Sequence, residues 1–169
     1  MAARSRRSIG TTAALVLVLP LAACGAIGDG GSTPTTAPSG LDLDPVPYVM
    51  TVPPGLLERL ATGPFTDAAF LAEATAAGAT ATLEVTYRPL EGDPVHFMNV
   101  YVFPEAAFDA TLTPDAPPPF GEEIRREGGG VLAVWGPLDL PFAVGSEDAT
   151  NWSALTELIR DPATFVPDA

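Results

Sequence analysis

Few residues in this chain could carry chemistry. Among 169 residues there is one histidine, His96, one cysteine, Cys24, and no lysine. A serine or cysteine nucleophile needs a neighbouring base, usually histidine. His96 opens a strand-like segment beside Phe97, with no serine in a nucleophile-elbow pattern near it, and reads as a structural or surface residue. The lack of lysine excludes Schiff-base chemistry, and Gly128-Gly129-Gly130 lacks both the lysine and the following helix of a phosphate loop, so it reads as a turn. A zinc site needs three or four protein ligands, and one histidine leaves only carboxylates to supply them. Asp42 with Asp44, and Glu147 with Asp148, lack the spacing of an EF-hand loop and read as solvated acids. Adjacent Glu122 and Glu123 point to opposite faces of a strand and cannot by themselves be a glycosidase pair. Arg125-Arg126 is flanked by Glu122, Glu123 and Glu127, which favours local ion pairing over capture of an anion. No catalytic residue, metal or cofactor is expected. Most aromatic residues fall at core-like spacing, and Trp135 and Phe142, which flank "GPLDLP", are the candidates for a ligand groove.

Cys24 ends a hydrophobic run. Arg4, Arg6 and Arg7 precede an apolar segment from Ala13 to Ala23, the order of a secretory signal. About eleven residues at ~1.5 Å each fall short of a bilayer core of ~30 Å, so the segment reads as an address and not as a permanent span. Leu21, Ala22, Ala23 and Cys24 resemble the lipobox of bacterial lipoprotein precursors. That resemblance implies a diacylglycerol on the Cys24 sulfur, removal of residues 1–23, acylation of the new terminus, and a place on the extracytoplasmic face of the cell membrane. The alternative is an unlipidated signal that leaves a free thiol in an oxidising compartment. Ser5-Arg6-Arg7-Ser8-Ile9 resembles the twin-arginine export motif, from which Gly10 and Thr11 depart; the general secretory route is the other reading.

Losing residues 1–23 removes three of the eight basic residues and no acid, which takes the formal charge from -13 to -16. Such a body repels phosphate backbones and anionic headgroups, so nucleic-acid binding is not expected and the acyl chains must hold the membrane unaided. Residues 24–40 continue as "GAIGDGGSTPTTAPSG" after the cysteine, a flexible tether that cannot offset its own ordering entropy. Residues 41–169 are long enough for one core and too short for two ordinary domains.

Within that domain, "PVPYVMTV" predicts an edge strand and "GLLERL" a helical turn or two. Thr66 or Asp67 can cap a helix carrying Phe70, Ala74 and Ala77 on one face, with Gly78 as its stop. Leu83, Val85 and Tyr87 alternate with polar residues as in a half-buried strand. "HFMNVYVF" predicts a central strand with Met98, Val100 and Val102 on one face and Phe97, Tyr101 and Phe103 on the other. A short helix opens at Pro104, a hairpin turns at residues 128–130, and a last helix places Trp152, Leu155 and Ile159 together before Asp161-Pro162. The sequon at Asn151-Trp152-Ser153 falls in that helix and is discounted. Hairpin connections predict the fold class: a single two-layer α+β domain with a mainly antiparallel sheet and two to four short helices. Over about residues 80–160 the chain resembles small exported lipoproteins of high-GC bacteria, a resemblance that carries no functional residues.

The expected function is that of a membrane-anchored, non-catalytic acidic domain that binds an envelope protein or peptide. A carrier of a small apolar ligand is the first alternative, and a carboxylate-dependent hydrolase the second.

Overall fold

A computed structural model describes residues 39–168. Among these residues eight strands form two wholly antiparallel sheets. In the smaller sheet, β2 (Tyr48–Val52) lies between β1 (Ser39–Asp42) and β8 (Phe165–Pro167). The larger sheet has the order β3-β4-β5-β7-β6, built from β3 (Leu60–Gly63), β4 (Ala81–Tyr87), β5 (Val95–Pro104), β6 (Glu122–Glu127) and β7 (Gly130–Trp135). Four helices accompany them: α1 (Pro54–Leu57), α2 (Ala68–Ala76), α3 (Glu105–Thr111) and α4 (Glu147–Leu158). The α+β class, the antiparallel pairing and the helix number follow the sequence reading.

Local chemistry explains the element ends. Asp67 caps α2 by accepting from the Ala69 and Phe70 amides at 2.8 and 3.2 Å, and Ser146 caps α4 through Ala149 N–H at 3.1 Å, which satisfies amides that lack helical partners. Gly128 and Gly129 take φ of 60° and 83° in the β6–β7 hairpin, a region open to glycine without steric cost. β5 is the central strand, paired with β4 on one side and β7 on the other.

Each face of the large sheet carries its own apolar cluster. One gathers Leu83, Val85, Tyr87, Met98, Val100, Leu132 and Val134 with the small sheet, with Trp152 and Leu155 of α4 and with Ile159 just past its end. The other gathers Tyr101, Phe103, Val131 and Ala133 with Ala74 of α2, Phe108 of α3 and Phe120.

Four details depart from the sequence reading. Val85 pairs with Met98 and Thr86 with His96, so Phe97 is the extra residue of a β-bulge. It joins Met98 in the first cluster instead of facing with Tyr101 and Phe103, because a bulge resets the alternation of faces. The segment around Tyr48 is flanked on both sides and is not an edge; Pro45 and Pro47, which could not donate to a ladder, fall in the loop before it. The short strands β3 and β8 carry no period of their own. β1 begins at Ser39 and so takes in the last two residues of the expected tether.

Candidate functional site

At one end of the large sheet, β7 runs out through Trp135 into Gly136, Pro137 and Leu138. These four residues form a ridge with an open groove on either side. Leu138 is 84% exposed. Gly136 lets the ridge approach α4: a Cβ there would stand 2.7 Å from Ile159 Cδ1.

The first groove, about 400 Å³, lies between the ridge, Pro117–Pro119, the start of β6 and the end of α4 around Thr156 and Ile159. Its walls are mainly apolar, with one charge of each sign, Glu122 and Arg160. Gly121 sits in its wall at φ 86°, where a Cβ would collide with the Val134 backbone. Only glycine fits both the conformation and the space.

The second groove, about 520 Å³, lies between the ridge, the Phe65–Asp67 segment and the strands β4 and β5. Phe65, Phe70 and Trp135 supply aromatic walls, and Phe70 meets Trp135 edge to face at 5.2 Å. Its polar residues include Asp67, Glu84, His96, Asn99 and Asp139, and among the described residues no arginine lines it. Glu84 is 6% exposed and accepts from both the amide and the hydroxyl of Thr66 at 2.8 Å. His96 Nε2 lies 2.8 Å from Asn99 Oδ1, an arrangement in which the ring donates. Tyr101 is fully buried, and among the described residues its hydroxyl has no hydrogen-bond partner. Burial pushes its pKa up to about 12, the nearby Asn99 amide opposes the shift and the Glu73 carboxylate adds to it.

Trp135 thus stands in the walls of both grooves. Phe142 lines neither; it is half-buried in an aromatic cluster with Tyr87 and Trp152, at centroid distances of 5.4 Å to each. The structure therefore separates the two residues that the sequence paired. Glu122 lies on one groove, whereas Glu123 pairs with Arg126 at 2.7 Å. Arg126 also reaches Asp109 at 2.8 Å, and Arg125 pairs with Glu127 at 2.8 Å while donating to the Phe165 carbonyl. Both arginines are engaged within the domain, the local pairing expected of them. Asp148 accepts from Tyr87 Oη at 2.7 Å and from Leu90 N–H, which pins α4 to the end of β4. Among the described residues no three histidine, cysteine or acidic side chains converge as a metal site would need, and no helix is long and apolar enough to cross a membrane. Cys24 and the rest of the lipobox, the paired arginines near the start and residues 24–38 of the tether lie outside the described residues.

Sequence reasoning misses Glu84. The alternation in β4 marks it as a solvent-facing partner of Leu83 and Val85; the segment Phe65–Thr66, far from it in sequence, folds over it. No family model, curated protein or solved structure matches the chain.

Proposed function

We propose that the chain is a non-catalytic binding module, held at the extracytoplasmic membrane surface by lipid on Cys24, that docks a segment of another envelope protein on the Trp135–Leu138 ridge. The observation that carries this reading is Leu138, 84% exposed between two grooves that share Trp135 as a wall. A large side chain left in water beside concave apolar surface is what a docking surface offers a partner. Grooves open on both sides of a ridge accept a chain passing across it more readily than they enclose a small molecule. A photo-cross-linking residue at position 138, tested in intact cells, is expected to capture a defined neighbour that the same residue at exposed Leu90 does not. The same abundant proteins captured at both positions would overturn the reading.

The anchor has its own test. Cys24→Ala is expected to move the protein from the membrane to the soluble fraction while its melting temperature stays unchanged. Tight membrane attachment of that variant would end the lipoprotein reading.

The first groove supports a second reading, a carrier of a small apolar ligand: its proline and Ile159 walls are apolar and its volume lies within the ~300–1,000 Å³ of ligand sites. An apolar fluorophore that quenches Trp135 and resists competition by peptides would favour it.

A further inference from the structure

Glu84 is held in an unfinished environment. It stands on β4 opposite Asn99 of β5, and only 6% of its surface is exposed. Both Thr66 donors go to Oε2, and Oε1 receives no hydrogen bond among the described residues. Oε1 is not sealed in, because Glu84 is part of the wall of the second groove and the one sealed, unpartnered side-chain atom among the described residues is the Tyr101 hydroxyl. A carboxylate this deeply placed ordinarily carries a paired cation or a full set of donors. None of the arginines at 59, 88, 125, 126 and 160 pairs with it. Asp67 and Asp139 add negative charge to the same groove, and His96 Nε2 is turned to Asn99.

We infer that this groove receives the arginine or lysine side chain of a basic segment of the partner, with its charged group on Glu84 Oε1 and its alkyl stem along Phe70 and Trp135. The fit has three parts. The guest supplies the missing donors, its positive charge complements both the groove and a chain of formal charge -13, and its methylenes cover aromatic walls that bare ammonium could not use. A metal ion would want several oxygen ligands converging on one point, whereas Glu84 offers one free oxygen beside aromatic rings. The inference rests on the docking role proposed for the ridge, and it adds the chemistry of what docks.

The test is an NMR titration of the full-length chain in non-ionic detergent, read at the Trp135 indole N–H. The probes are the acetyl amides of arginine, lysine and norleucine, the last an uncharged match for the lysine stem. Arginine and lysine amides are expected to shift the Trp135 resonance, norleucine amide to leave it in place, and salt at about 0.5 M to weaken the shift through screening. Glu84→Gln is expected to cut the affinity for both cationic probes by about ten-fold or more, while Glu91→Gln, at an exposed position on neither groove, leaves it unchanged. An equal response to norleucine amide would make the groove an apolar site and overturn the inference, as would undiminished binding by a folded Glu84→Gln protein. Where Glu84→Gln fails to fold, the lysine and norleucine comparison on the unaltered chain still decides. Amide binding together with non-specific cross-linking from position 138 would remove the docking role and leave the cation site standing. Specific cross-linking without amide binding would do the reverse.

Discussion

The chain's two tryptophans sit in regions of opposite design. Around Trp152, 4% exposed, Tyr87, Phe97 and Phe142 close in at centroid distances of 5.6, 5.0 and 5.4 Å, all at steep angles, and the indole N–H donates to the Asp139 carbonyl at 3.2 Å. Around Trp135 there is one ring contact, to Phe70, and grooves on both sides. The first region is closed in contacts and in polar partners. The second leaves apolar surface open, and beside it Glu84 Oε1 and the Tyr101 hydroxyl lack partners among the described residues. The size of an aromatic residue therefore does not reveal its role. The first tryptophan works by filling space, the second by leaving space beside it.

Substitution of the two tryptophans is the strongest way to break this contrast. Trp152→Ala removes the centre of the aromatic cluster and is expected to cost about 3–5 kcal/mol of unfolding free energy, the range for emptying a buried aromatic site. Trp135→Ala, at a half-buried position with groove on both sides, is expected to cost about 1 kcal/mol, because little surrounding structure loses contact. Chemical denaturation of both variants checks the ordering. Equal losses would mean that the ridge is part of the core and would weaken its reading as a docking surface.

What is legible in the sequence divides along the same line. The closed region announces itself: Leu83, Val85 and Tyr87 alternate, and Trp152, Leu155 and Ile159 recur at helical spacing; elsewhere the Asp67 cap and the glycine turn are legible because they act on neighbours close in sequence. Features that depend on distant pairing stay hidden. β3 and β8 are too short to show a period, and each is a strand only because β4 or β2 offers it a ladder. The bulge at Phe97 depends on how β4 and β5 register, and Phe142 reads as a groove residue until α4 brings Trp152 against it. Trp135 is recognisable as a groove candidate, but Glu84 is not, since its burial comes from residues 65–66 folding across β4.

Tyr101 offers a smaller and sharper test, because it marks where the second region leaves a polar group unsatisfied. Its hydroxyl is buried without a partner among the described residues, so Tyr101→Phe removes desolvation and little else. Near neutral pH the variant is expected to be as stable as the parent, or more stable by up to about 1 kcal/mol. With the folded pKa raised to about 12 against an ordinary 10.0, the neutral phenol is the form that folding favours. The associated stability is therefore complete below pH 10 and is lost as pH rises towards 12. Tyr101→Phe should flatten that alkaline limb in a denaturation series. A clear destabilisation at neutral pH would reveal a partner for the hydroxyl and make the second region as complete as the first.

The smallest effect belongs to the acid side, in a place outside both tryptophan regions, and it calibrates them. The Arg126 guanidinium hydrogen-bonded to Glu123 at 2.7 Å holds that carboxyl below its ordinary 4.5, against opposing effects of slight burial and of Asp109. A depressed carboxylate stabilises the fold above its unfolded pKa and loses that contribution as pH falls through the lower folded value. The window therefore lies below about pH 4.5, and Glu123→Gln should leave stability at pH 7 almost unchanged while making the acid limb shallower. Both side chains are about one-third exposed, at 31% and 36%, so solvent and salt screen the pair and the change should shrink further as salt is raised. Were Glu123→Gln to destabilise the fold at pH 7 as much as Trp135→Ala, a solvated ion pair would weigh as much as the ridge tryptophan. The loss at Trp135 could then no longer be read as the partial burial of one wall of two grooves.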